Sequence, residues 1–135
     1  MEILAQLTVV GTVTREDFEK RFDELFPAHA NFHKILVIHD TSKDKIIGTG
    51  TVIFEKKFLR QCGTAGHIED VSLDSEYRGK GLGVKLVGLL KEIATLNDCY
   101  KLILDCEDKN IGFYEKNEFF VKEKCMVRYR NKERM

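Results

Sequence analysis

Apolar and polar positions change period several times along the chain, and each change marks an element. In TREDFEKRFDELF (14–26), Phe18, Phe22, Leu25 and Phe26 recur at helical steps, which predicts an amphipathic helix. Thr14, with Asp17 three residues on, supplies its start signal. KILVIHD (34–40) and IIGTGTVIFEKKF (46–58) are β-rich runs joined by the polar turn TSKDK, so 34–57 reads as a hairpin. AGHIEDVSLD (65–74) is a third strand. Its apolar positions Ile68, Val71 and Leu73 break strict alternation, which predicts a β-bulge near Glu69–Val71.

The helical period returns in LGVKLVGLLKEIATLND (82–98), where Leu82, Leu86, Leu89, Leu90, Ile93 and Leu96 form a core-packing stripe. CYKLILDC (99–106) is a continuous apolar run that suits a strand covered on both faces. DKNIGFYEKN (108–117) reads as a short helix, and FFVKEKCMVRYR (119–130) as a last strand. The element order is α, α, β, β, β, α, β, α, β. Strand, glycine loop, helix and strand in succession imply a crossover that sets two strands side by side.

Composition bounds this picture. The 135 residues suit one domain, 1–135. The charges balance, with 22 basic and 22 acidic residues, which argues against a generally basic nucleic-acid binder. No apolar run has the length of a membrane span, and MEILAQLTVV lacks the basic start and small-residue site of a signal peptide. A cytoplasmic location is the expectation. Cys62, Cys99, Cys106 and Cys125 lack C-x-x-C spacing and read as buried free thiols of a reducing compartment. His29, His33, His39 and His67 have no metal-ligand spacing, so no metal is expected, and His67 reads as structural.

The chemistry-bearing stretch is YRGKGLGVKL (77–86). Glycines before a helix let backbone N–H groups approach an anion, and the helix N-terminus adds partial positive charge. Arg78 and Lys80 reinforce it. No Walker A pattern is present, and the dinucleotide fingerprint fails because Val84 stands where its last glycine belongs. Arg78, Gly81 and Gly83 leave R-x-x-G-x-G. The loop is either a phosphate cradle or a tight turn without a ligand.

R-x-x-G-x-G between a bulged strand and a helix resembles the acyl-CoA pyrophosphate loop of the GNAT superfamily of N-acetyltransferases. GHIEDV (66–71), YRGKGLG (77–83), CYKLILDC (99–106) and GFYEKNEF (112–119) resemble, in order and spacing, its eukaryotic glucosamine 6-phosphate N-acetyltransferase family. QLTVVG (6–11) and EKKFLRQCG (55–63) extend the likeness over nearly the whole chain. The resemblance implies an α/β (α+β) GNAT fold: a mixed, mostly antiparallel twisted sheet flanked by helices, here without the N-terminal strand. It implies acetyl-CoA as co-substrate, glucosamine 6-phosphate as acceptor, and direct attack in a ternary complex.

Residue by residue, it assigns Arg78, Gly79, Lys80, Gly81, Leu82, Gly83 and Val84 to the pyrophosphate. Val71, Ser72 and Leu73 would lie along the pantetheine arm, with the Val71 N–H polarising the thioester carbonyl. Glu69 and Asp70 match an acidic sugar-binding pair. Asp105 matches the carboxylate that positions the amine, and Tyr114 the phenol that meets the departing thiolate. Thr8, Lys57, Phe58, Leu59, Arg60, Tyr100 and Lys101 match substrate-binding positions. Arg128 or Arg130 would complete the phosphate site across a homodimer whose exchanged element is the last strand. A covalent route through Cys106 is disfavoured, because its acidic neighbours raise a thiol pKa. Two other readings stay open: an acetyltransferase for another small-molecule or protein amine, and a non-catalytic CoA-binding module.

Overall fold

The structure, a computed structural model, describes residues 1–26, 29 and 31–130. Helix α1 (Glu2–Ala5) is followed by α2 (Arg15–Leu25). Thr14 and Asp17 form the reciprocal capping box expected at the start of α2: each side chain accepts from the other's N–H, at 3.1 Å in both directions. The apolar face of α2, however, meets no core. Phe18 and Phe22 are 51% and 52% exposed, and Phe22 lies between Phe18, on which it stacks with centroids 6.4 Å apart, and Phe26, tilted at 5.1 Å.

Strands β1 (His33–Asp40), β2 (Lys45–Lys56), β3 (Thr64–Leu73) and β4 (Cys99–Ile103) make one sheet in the order β1-β2-β3-β4. The first two pairings are antiparallel and β3 runs parallel to β4. This is the mixed, mostly antiparallel sheet that the resemblance implies. Helix α4 (Leu82–Leu96) makes the β3-to-β4 crossover and covers one sheet face. Leu90 and Ala94 pack there on Val52, Phe54 and Ile68, the centre of the core. Burying these side chains stabilises by about 1.5–3 kcal/mol for each of the larger ones. Gly50 allows the approach: a Cβ there would stand 2.8 Å from Leu90.

The bulge in β3 lies where the broken alternation put it. Thr49 pairs Ser72 and Thr51 pairs Glu69, so one extra residue of β3 is accommodated opposite Gly50. Asp70 adopts φ +52°, in the left-handed region.

Three expectations fail. Residues Phe119–Arg130 are not a strand: no sheet pairing is formed, and Phe120, Met126 and Val127 are 77%, 94% and 69% exposed. A strand needs a hydrogen-bonding neighbour, and among the described residues none pairs with this segment. Strand β4 is not covered on both faces either; it is a sheet edge, with Tyr100 and Ile103 well exposed. Its apolar run mixes a core-facing set, Cys99, Leu102 and Leu104, with an open one. The cysteines are free but not buried: Cys62, Cys106 and Cys125 are exposed and only Cys99 is partly covered.

Candidate active site

Two strands part here. β3 and β4 pair from Thr64↔Cys99 to His67↔Ile103, and β4 gives β3 no partner beyond that point. β3 nonetheless runs on to Leu73. The backbone edge of Glu69–Leu73 is therefore left without a β4 partner on that side. Such an edge can take an extended ligand as an added strand.

Beyond Leu73 the chain turns through a single 3-10 turn, η1 (Ser75–Tyr77), into α4. Gly79 and Gly81 both sit at φ +77°, and a Cβ at either would meet nothing within 4 Å. Glycine therefore serves the left-handed backbone at both positions and leaves open space above it. Gly81 caps α4 with no side-chain hydrogen bond, so the first-turn N–H groups at Leu82, Gly83 and Val84 donate to no capping side chain. Gly83 has a different reason: a Cβ there would stand 3.0 Å from the Phe113 ring, which packs over the helix start.

The neighbouring side chains brace this loop. Arg78 turns back and donates from Nε to the Leu73 carbonyl at 3.1 Å. The Tyr77 hydroxyl donates to Asp40 Oδ2 at 2.5 Å, and Asp40 also accepts from the Ser42 N–H and hydroxyl. These bonds hold the Asp40 carboxyl well below the usual range, at about 2. Lys80 and Lys43 stand over the Tyr77 ring at 5.1 and 5.3 Å. The Ser72 hydroxyl docks α1 instead, donating to the Ile3 carbonyl at 2.8 Å.

Glu69, Asp70 and Asp105 stand close enough together for their charges to interact. Burial pushes the Glu69 carboxyl up, and the charges of Asp70 and Asp105 push it further. Asp105, just past β4, also meets the C-terminal segment. Its carboxylate lies close enough to the Cys125 thiol to raise that thiol's pKa. Nothing in the sequence signals that contact. The Cys106 thiol is raised by burial and then by Asp108 and Asp105, which leaves it a poor nucleophile.

Tyr114 sits on the short helix α5 (Ile111–Glu115), which follows the 3-10 turn η2 (Asp108–Asn110). Its ring is set edge-on between Phe113 and Phe119, at 4.8 and 6.1 Å. Burial, and then Cys106, raise its phenol above the ordinary value. The next turn is fastened to α4: Asn117 Nδ2 donates to the Val84 carbonyl at 3.1 Å, and Lys91 Nζ donates to the Asn117 carbonyl at 3.1 Å.

Of EKKFLRQCG, Glu55 and Lys56 end β2 and residues 57–63 form the loop to β3. Its single turn, α3 (Leu59–Cys62), is left-handed: Arg60, Gln61 and Cys62 have φ of +53°, +57° and +60°. No glycine occupies these positions, and each costs about 1–2 kcal/mol. Phe58 at its tip is 97% exposed. The structure places Tyr100 against this loop, its ring 3.0 Å from where a Gly63 Cβ would be, with Lys101 Nζ 5.9 Å from the Tyr100 centroid. Thr8 is exposed between α1 and α2, its N–H bonded to the Leu4 carbonyl. Arg128 and Arg130 lie on the exposed C-terminal segment, and no described hydrogen bond or ion pair ties them to the site. Among the described residues, no group of three or more His, Cys, Asp or Glu side chains is arranged to hold a metal.

A parallel pair whose longer strand runs on unpaired, a glycine-started helix after it, an acidic cluster of Glu69, Asp70 and Asp105 and a half-buried phenol at Tyr114 are the components of an acyl-CoA-dependent N-acyltransferase. The chain belongs to the acetyltransferase (GNAT) family, whose pattern matches residues 4–119. It is 52% identical to glucosamine 6-phosphate N-acetyltransferase of Arabidopsis thaliana over 86% of this chain and 77% of that one. With glucosamine 6-phosphate N-acetyltransferase 1 of Dictyostelium discoideum it shares 42% identity, over 87% and 74% of the two chains. The crystal structure of the Arabidopsis enzyme superposes with a TM-score of 0.93 at 48% identity, covering 96% of this chain and 88% of that one. A predicted acetyltransferase from Clostridium acetobutylicum, solved with acetyl-CoA, shares the fold alone, at 16% identity and a TM-score of 0.71 over 95% of this chain and 86% of that one.

Proposed function

We propose that this chain transfers the acetyl group of acetyl-CoA to the amine of glucosamine 6-phosphate. The observation that carries the chemistry is the parting of β3 from β4, which frees the Glu69–Leu73 edge between the uncapped start of α4 and the Glu69–Asp105 pair. The pyrophosphate would take the N–H groups of residues 79–84, and the pantetheine arm the edge at Val71–Leu73. The Val71 N–H would serve as the fixed donor where negative charge develops on the thioester oxygen.

The acceptor amine arrives as an ammonium and must lose a proton before it can attack. Glu69, with its raised pKa, is a better base than an ordinary glutamate, and Asp105 orients the amine beside it. The Tyr114 phenol stays protonated across neutral pH and supplies a proton to the leaving thiolate. Holding amine and thioester in one cleft removes much of the entropic barrier. Lys57 and Arg60 offer positive charge to the sugar phosphate, with Asp70, Tyr100 and Lys101 around the sugar.

The relatives named for this acceptor support the choice of sugar. Steady-state release of CoA thiol against a panel of amines tests it. Turnover should be fastest with glucosamine 6-phosphate. Preference for a polyamine or a lysine peptide would overturn the acceptor, and no turnover with any amine would favour a CoA-binding module.

A homodimer belongs to the same reading. The free edge of β4 and the unpaired, apolar segment Phe119–Arg130 are complementary needs, and a second copy meets both. It would also bring Arg128 or Arg130 to the phosphate. Light scattering should give a dimer mass, and a concentration-independent monomer mass would reject it.

A further inference from the structure

On the sheet face turned away from α4, the left-handed loop has a fastening at its base. His67 Nε2 and Glu55 Oε2 are 2.9 Å apart, and Lys57 Nζ donates to the other oxygen of Glu55. The Lys57 N–H donates to the Gly63 carbonyl at 3.0 Å and closes the loop. One carboxylate on β2 thus ties the lysine that opens the loop to a histidine on β3, two residues before Glu69. We propose that Glu55 and His67 are positioning residues for the acceptor phosphate, holding Lys57 and the Lys57–Gly63 turn toward it. This rests on the reading above, in which Lys57 and Arg60 face the sugar phosphate.

Three observations point this way. Glu55 and His67 are partly exposed, and ion pairs at such positions contribute little to stability. The turn they anchor contains three consecutive left-handed residues without glycine, strain that persists only where the surroundings impose it. Finally, the lysine ammonium has three N–H donors. Glu55 engages one, fixing the direction of the side chain and leaving the others for phosphate oxygens. Glu55 itself is kept ionised, its carboxyl held below the usual range by Lys57 and then by His67.

The test compares KM for glucosamine 6-phosphate with kcat, with KM for acetyl-CoA, and with turnover of unphosphorylated glucosamine. His67→Leu and Glu55→Ala should each raise KM for glucosamine 6-phosphate about 5- to 20-fold. The acetyl-CoA KM, kcat and glucosamine turnover should move less than about 2-fold. His67→Gln, which keeps a donor for Glu55, should restore most of the affinity. Unchanged KM in both truncations overturns the proposal. So does a uniform loss in every parameter with a lowered melting temperature, the mark of a merely structural pair. A parent enzyme that fails to acetylate glucosamine 6-phosphate removes the acceptor reading instead, so the two failures are distinguishable.

Discussion

At Tyr114 the phenol's usefulness comes from its surroundings. Burial beside Phe113 and Phe119, and then the nearby Cys106, keep it neutral, so the hydroxyl remains a donor where a thiolate would leave. Tyr114→Phe should lower kcat about 100-fold with little change in either KM. The alkaline limb of the kcat profile should lie above the ordinary phenol value of 10.0. Glu69 works in the opposite protonation state. Its carboxyl is raised, so the acid limb of kcat/KM should fall above 4.5, and Glu69→Gln should abolish that limb. Stability gives the sign independently. A raised carboxyl pKa disfavours the folded state once the group ionises. Glu69→Gln should therefore be the more stable protein at neutral pH, and its advantage should vanish below pH 4.5. Urea midpoints at the two pH values measure it.

The elements explain how these residues are held. The β1–β2 turn and the glycine loop are far apart in sequence, yet Asp40 and Tyr77 join them through one short hydrogen bond. Tyr77→Phe should raise KM for acetyl-CoA several-fold and leave kcat unchanged. The depressed pKa of Asp40 means that its contribution to stability is present above 3.8 and is lost as pH falls toward about 2. Asp40→Asn should flatten that part of an acid-unfolding curve. Gly83→Ala should cost about 1–3 kcal/mol, read by urea unfolding, by pushing Phe113 off the start of α4. Much of this level was legible in the sequence. The hairpin, the bulge, the capping box and the glycine-started helix all have local causes: alternation, its interruption, a cap, a left-handed turn. The turn at Arg60–Cys62 was not legible, because Arg-Gln-Cys carries no left-handed signature and the conformation is imposed by the strands that it joins.

The whole molecule shows why other readings missed. Phe18 and Phe22 form an apolar face and FFVKEKCMVRYR has strand-like composition, as expected, but among the described residues the first stays half exposed and the second joins no sheet. Periodicity reports that a face wants covering and is silent about which molecule covers it. Phe120→Asp with Val127→Asp should therefore leave the sheet and α4 intact, by circular dichroism, while converting the proposed dimer to a monomer in light scattering. If Arg128 or Arg130 serves the partner's phosphate site, that monomer should also lose affinity for the sugar phosphate and keep its affinity for acetyl-CoA.

The bulge at Asp70 has one more consequence. A strand is written in a reading frame of two, and β3 is written in two frames. Ile68 packs in the core with Leu90 while Glu69 turns away; one residue later Val71 and Leu73 are the ones turned toward α4. Asp70 is the single inserted character that shifts the frame, and its φ of +52° is the local cost. Substitution and deletion there should part company. Asp70→Gly relieves the backbone and keeps both frames, so the protein should fold, as a thermal melt would show. Removing residue 70 sets Ile68, Val71 and Leu73 in a single frame on the α4 face, with Val71 opposite Gly50, so the chain should still fold; what it should lose is turnover, because the bulge itself is gone.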